Sequence, residues 1–233
     1  MFPLHDDNPT STVAFCTIIL ILSCVSVFLW QISLGPQAEH YMYALGAIPA
    51  VIIGGKSLAP ETALIPPWIS AVTSMFLHGG WMHLIGNMLY LWIFGNNVED
   101  AMGHRKFVIF YLICGIGAML AHAYSDINSE IPMIGASGAI SGVLGAYLLL
   151  YPRARVLVAI PFGFIIHTTR LPAGWVLGFW FILQIVNSLL LSQQGGGGVA
   201  WGAHIGGFLL GMLLVPLFKK RNVKLFAPAR RSY

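Results

Sequence analysis

Gly135-Ala136-Ser137-Gly138-Ala139-Ile140-Ser141-Gly142-Val143-Leu144-Gly145-Ala146-Tyr147-Leu148-Leu149-Leu150-Tyr151 contains no charged residue, and its small residues recur at helical spacing. Gly138 and Gly142 form a GxxxG stripe with Gly145 one turn on, a pattern that lets two helices approach backbone to backbone inside a bilayer. The run reads as a membrane helix over 136–151. It is short for a full crossing, which suits a helix that starts inside the membrane rather than at its surface. Ser137 stands at its start, where free backbone N–H groups and the helix dipole can meet a developing oxyanion.

The rest of the chain agrees with a bilayer as solvent. Of 233 residues, 57% are apolar and 9% charged, against about a quarter charged in ordinary soluble domains. Five further apolar segments flank the first, at 13–34, 81–96 (continuing less apolar to 102), 107–124, 175–191 and 200–218. The expected fold is an all-α polytopic membrane protein of six transmembrane helices. Segment 13–34 follows Asp6 and Asp7 with no Lys or Arg before it, so it reads as a retained helix and not a signal peptide. The division that follows is a short cytoplasmic N-terminus at 1–12, a membrane domain at 13–218 and a basic cytoplasmic tail at 219–233, with no soluble domain appended.

Two connections stand apart. The long outer loop 35–80 is too apolar for a free linker and too broken by Gly54-Gly55, Pro60 and Pro66-Pro67 to cross, so an interfacial substructure is expected there. The stretch 152–174 is flanked or interrupted by Pro161, Pro172 and three Arg, which argues against a crossing helix. Gln193-Gln194-Gly195-Gly196-Gly197-Gly198 reads as a flexible linker before the last helix.

Charge gives orientation. If six helices alternate, the loops after the second and fourth and the C-terminus share one side, and they hold eleven of the twelve Lys and Arg; only Lys56 lies opposite. The positive-inside rule puts both termini in the cytoplasm. The basic tail is then a topology signal, and no nucleic-acid partner is implied. Cys16, Cys24 and Cys114 lie within helical segments without metal-like spacing and read as packing residues.

Polar groups inside membrane helices are costly, so they are the functional candidates. With the N-terminus inside, the second, fourth and sixth helices all descend from the outer face. His83, Ser137 and His204 each lie near such a helix start, roughly 5–10 Å below the outer end. Three polar positions therefore converge on one layer. His83 and Asn87 are four apart and point the same way, and both can donate to an anionic oxygen. Gly207 and Gly211 share the face of His204, so a close-packed sixth helix could bring an imidazole to a serine. No Asp or Glu lies in a helix at the depth of His204, so a Ser-His dyad is expected in place of a triad. Glu99 and Gly103 are expected to cap the inner end of the second helix. His5, His40, His104, His122 and His167 have no evident partners and read as structural or solvated.

Gly135-Ala136-Ser137-Gly138, the His78-x4-His83-x3-Asn87 spacing and Ala203-His204-Ile205-Gly206-Gly207-x3-Gly211 together resemble the rhomboid intramembrane serine proteases, compact six-helix bacterial type, over about 67–215. The resemblance implies that Ser137 attacks the scissile carbonyl and His204 acts as its base. His83, Asn87 and the Ser137 backbone N–H would stabilise the oxyanion, with His78 as a loop anchor and Gly135, Gly138 and Gly207 as packing residues. It further implies transmembrane protein substrates weakened by small or helix-breaking residues, cut near the outer face, in a bacterial inner membrane, with no cofactor and no metal. A gate is implied at Trp175, Phe179, Trp180 and Phe181 and at the loop 126–134.

The chain departs from the family pattern at two informative places. Trp68 is followed by Ile69 where many rhomboids carry Arg, and Ser141 stands where an aromatic often stacks on the catalytic His; a hydrogen bond from Ser141 is the expected substitute. Singly, Ser137 would be a packing serine and Asn87 interhelical glue; the joint pattern carries the reading. Three other readings fit the residues less well. A catalytically silent rhomboid-like escort of membrane clients is opposed by the presence of both Ser137 and His204. A proton path lacks paired intramembrane carboxylates, and a metal enzyme built on His78, His83 and His204 lacks a carboxylate or thiolate ligand.

Overall fold

The computed structural model describes residues 1–163, 165–191 and 199–227. Along the chain, strand β1 (Phe2–Asp6) leads to helix α1 (Phe15–Ser33), followed by three short helices, α2 (Ala38–Leu45), α3 (Pro49–Ile52) and α4 (Pro67–Thr73). Two long helices, α5 (Trp81–Met102) and α6 (His104–Ala123), precede α7 (Ser137–Leu150). A hairpin of β2 (Arg155–Phe162) and β3 (Ile165–Pro172) then leads into α8 (Ala173–Leu191) and α9 (Trp201–Phe218). The linker 193–198 and the tail beyond 227 lie outside the described residues.

Among the described residues, four helices are long and apolar enough to cross a membrane: Phe15–Ser33, His104–Ala123, Ala173–Leu190 and Trp201–Phe218. Of the other two long elements, α5 carries Glu99 and Asp100 in its last turns, and α7 has only 14 residues. α7 is the centre of the bundle: every residue from 139 to 147 is buried, because α5, α6, α8 and α9 all pack around it. Its glycines set the closest of these contacts. A Cβ built on Gly207 of α9 would lie 2.2 Å from the Gly138 carbonyl oxygen, and one on Gly211 2.0 Å from that of Gly142. The two backbones touch directly, as small-xxx-small stripes permit.

The all-α expectation needs one correction. β1, β2 and β3 form a three-stranded antiparallel sheet in that order, with Phe2 opposite Ala159, Asp6 opposite Val156, and Arg155 opposite Pro172. The stretch 152–174, read from sequence only as non-crossing, is a hairpin. Val156 and Val158 alternate into the core while Arg155 stays exposed, the period-two pattern of a half-buried strand. Its outer partner comes from the first six residues of the chain, some 150 positions away.

The same N-terminal segment is clamped to the end of α5. Asp100 accepts hydrogen bonds from the Ser11 backbone (2.9 Å), the Ser11 hydroxyl (2.8 Å) and the Thr12 hydroxyl (2.8 Å), and the Asn97 amide donates to the Asn8 carbonyl at 2.8 Å. Glu99, expected to cap its own helix, instead caps α1: it accepts from the backbone N–H of Cys16 (2.9 Å) and Thr17 (2.8 Å) and from the Thr17 hydroxyl (2.7 Å). A carboxylate at that N-terminus satisfies otherwise orphaned donors and meets the positive end of the dipole. His104, read as structural or solvated for want of an evident partner, bonds the same carboxylate. Gly103 does end α5, at φ +84, with its N–H on the Glu99 carbonyl at 2.7 Å.

Asp6 carries a pH-dependent contribution to stability. Its side chain is buried against α7 and accepts the Tyr147 hydroxyl at 2.6 Å; burial raises its pKa from 3.8 to about 6, with Tyr147 and His5 acting in the opposite direction. Between these values the folded protein holds a proton that the unfolded chain has released, so stability falls as pH rises through that window and the loss is complete above about 6. The Asp6→Asn variant keeps an acceptor for Tyr147 without the charge. Thermal midpoints in detergent between pH 4 and pH 8 should show a wild-type deficit of about 2–3 kcal/mol relative to Asp6→Asn, developing over that window. A pH-independent difference between the two proteins would refute the assignment.

Candidate active site

Ser137 is the first residue of α7, preceded by Gly135 at φ +117. That glycine is required twice over. Its φ is in the left-handed region that side chains rarely adopt, and a Cβ there would lie 2.6 Å from Nε2 of His83. Its N–H bonds the Ser74 carbonyl at 2.8 Å. The preceding loop is stitched to the 35–80 region by reciprocal backbone bonds between Ala47 and Met133, at 3.0 and 2.8 Å. Thus the chain entering α7 is held by the short helices before it.

The Ser137 hydroxyl lies 2.8 Å from Nε2 of His204, in the first turn of α9. Nδ1 of the same ring lies 2.8 Å from Oε1 of Gln184 on α8. Two aromatic rings confine the imidazole: Trp180 lies tilted over it at 5.9 Å between centroids, and Trp201 meets it edge-on at 6.0 Å. The expected contact from Ser141 is absent. Its hydroxyl donates instead to the Ser137 carbonyl at 2.7 Å, an i to i−4 bond within α7 that serines in helices often make. Gln184 and Trp180 do what sequence reasoning assigned to Ser141.

Two donors sit beside Gly135, two residues before the serine. Nδ1 of His83 accepts the Gly79 backbone N–H at 3.3 Å, so the ring proton belongs on Nε2, the nitrogen that faces Gly135. The amide nitrogen of Asn87 is buried with no hydrogen-bond partner and lies 3.6 Å from a Cβ built on Gly135. A buried unpaired donor is costly, and here it is aimed at the start of α7. His78 sits behind His83, at 5.2 Å between ring centroids. Its backbone is gripped by Gln31 of α1, which accepts the His78 N–H (3.0 Å) and donates to the His78 carbonyl (3.3 Å).

Of the residues singled out in the sequence, Ser137, His204, His83, Asn87 and Gly135 come together. Gly138 and Gly207 form the backbone contact beneath them, and His78 braces the loop. Ser141 belongs to the helix and not to the histidine. His122, read as structural or solvated, has a buried Nδ1 without a partner and packs against the α9 turn at Gly202. Gln184 was missed, because an amide in a largely apolar helix that also carries Asn187 and Ser188 makes no motif; its sole signal was the cost of an amide buried at membrane depth. Chemically, a hydroxyl bonded to an imidazole with two donors facing it can support nucleophilic attack on a carbonyl and hold the resulting oxyanion.

Residues 66–221 match the rhomboid domain. The chain is 31% identical to Rhomboid protein 1, mitochondrial, of Saccharomyces cerevisiae over 191 residues, covering 75% of this chain and 52% of that protein. It is 34% identical to Rhomboid protease GluP of Bacillus subtilis over 146 residues (62% and 25%), and 28% identical to Rhomboid protease AarA of Providencia stuartii over 211 residues (85% and 70%). The chain spans about half the length of several curated relatives it matches.

Proposed function

The chain belongs to the rhomboid family, an assignment that with its apolar helices makes it an integral membrane protein, and on that premise we propose that it is an intramembrane serine endopeptidase. Ser137 is the nucleophile and His204 the general base. The observation that carries this reading is the 2.8 Å contact between the Ser137 hydroxyl and Nε2 of His204, joined from two helices whose backbones touch at Gly138 and Gly207. His204 takes the hydroxyl proton as Oγ attacks and returns it to the leaving amine. The oxyanion is received by Nε2–H of His83, the Asn87 amide and the Ser137 backbone N–H.

We read α1, α5, α6, α7, α8 and α9 as six crossings with both termini in the cytoplasm, following the distribution of Lys and Arg. The sheet and the clamp at Glu99 and Asp100 then lie on the cytoplasmic side, and Ser137 near the opposite face. Substrates are transmembrane segments of other proteins that can unwind near that face, admitted past α8 and the loop 126–134. The membrane we assign is a bacterial inner membrane, although relatives by name include chloroplastic and mitochondrial proteins.

A fluorophosphonate probe tests the chemistry without a known substrate. Oγ of Ser137 forms a bond to phosphorus and displaces fluoride, while the hydroxyl proton passes to His204. Purified protein in detergent should carry a single adduct that mass spectrometry maps to Ser137, with none on Ser137→Ala. Absence of an adduct on folded wild type, or equal labelling of Ser137→Ala, would sink the protease reading.

A further inference from the structure

The base is held by the least buried of the four helices long and apolar enough to cross a membrane. α8 leaves Phe179, Ile182, Leu183 and Val186 exposed along its length, and its inward face is made by Trp180, Phe181 and Gln184. Phe181 stacks on Phe208 of α9 at 4.4 Å and 18°; Trp180 lies over His204 and Phe208, both at 5.9 Å. Gln184 is buried, and each end of its amide has a partner. The nitrogen donates to the Trp180 carbonyl at 3.0 Å. A carbonyl can only accept, so the amide orientation is fixed and the oxygen is the atom that faces His204.

That orientation decides the tautomer. Oε1 at 2.8 Å from Nδ1 of His204 can only accept, so Nδ1 carries the proton and Nε2 presents its lone pair to Ser137. With the acceptor removed, no other acceptor bonded to Nδ1 among the described residues selects this tautomer over the one with Nε2 protonated, which cannot take a proton from the serine. The ionisable side chains facing His204 are His83 from α5 and His122 from α6; α7 contributes Ser137 and α8 only Gln184. Among the described residues, Gln184 is the one acceptor bonded to Nδ1.

We propose that Gln184 is the positioning residue for His204, and that α8 thereby couples its own packing to the competence of the base. The dyad is set for proton transfer while α8 lies against α9, and it loses that setting when α8 swings out. The proposal rests on Ser137 and His204 being nucleophile and base, and it assigns to α8 a second role besides admitting substrate. Such a link would keep the serine quiet while the bundle is open and switch it on when α8 closes over a bound segment.

The test uses the full chain in detergent. Histidine-labelled wild type read by NMR should show His204 protonated at Nδ1, a readout that needs no activity; predominance of the Nε2–H form would overturn the proposal. In fluorophosphonate labelling, Gln184→Leu should slow the rate at least tenfold, to roughly the level of a lost orienting group. Gln184→Glu, which restores an acceptor, should return to within about threefold of wild type. With a transmembrane substrate the Gln184→Leu loss should fall on kcat and spare KM. Phe181→Ala separates the two roles of α8. If α8 were only a gate, loosening it would leave labelling by a small probe unchanged or faster. The proposal expects slower labelling, and the Phe181→Ala, Gln184→Leu double variant no slower than Gln184→Leu alone. Wild-type rates in folded Gln184→Leu, or no recovery in folded Gln184→Glu, would refute it; loss of the Ser137 adduct in wild type would instead refute the protease reading.

Discussion

Ser137→Ala is expected to lower turnover of a transmembrane substrate by at least about 10³-fold, and His204→Ala by a similar factor. The two changes together should cost no more than either alone. The reason is geometric: the 2.8 Å hydrogen bond makes the hydroxyl and the imidazole one unit, and a base without its nucleophile, or the reverse, has nothing to act on. What remains after either loss is the oxyanion site at His83 and Asn87, which depends on neither side chain. A multiplicative double variant would mean that the two residues act separately and would remove the dyad. Cleavage should be measured by product formation in proteoliposomes, with thermal midpoints showing that the variants stay folded. Both residues are half-buried at helix starts, where a shorter side chain leaves the backbone contact between α7 and α9 in place.

What could be read from the sequence divides by range. The long apolar segments announced themselves because each helix is a local object: 107–124 was expected against His104–Ala123 observed, and 175–191 against Ala173–Leu191. The family was legible because its motifs are short and lie in a fixed order. The approach of Ser137 to His204 was also within reach, since helix polarity and the glycine stripes on both helices bear on it. The sheet was not. Val156 and Val158 show a strand pattern, but its partner Phe2–Asp6 lies at the far end of the chain, and nothing local links them. Glu99 misled for the same reason: at a helix end the nearest orphan groups are its own, yet it binds the backbone of Cys16 and Thr17 some 80 residues earlier. Gln184 shows a third kind of limit. Acids are the familiar groups that orient a catalytic histidine, and an amide oxygen meets the same requirement without a charge to bury.

Gly207→Val should be among the most damaging single changes outside the polar residues, at a cost on the order of 3 kcal/mol, with Gly211→Val comparable. A Cβ at either position would stand about 2 Å from a carbonyl oxygen of α7, well inside the ordinary contact distance, and backbone cannot rotate away as a side chain could. α9 must therefore retreat by an ångström or more. His204 lies one turn above Gly207 on the same face, so the retreat opens its bond to Ser137, and a displacement of that size can cost about 10² in rate even in protein that still folds. Stability and chemistry thus share one contact. Gly178→Val supplies the control, because a Cβ at that α8 position meets nothing within 4 Å. Denaturant titration in mixed micelles should show a large loss for Gly207→Val and little change for Gly178→Val, with labelling of Ser137 following the same order. Equal behaviour of the two variants would mean that the α7–α9 backbone contact does not hold the site together.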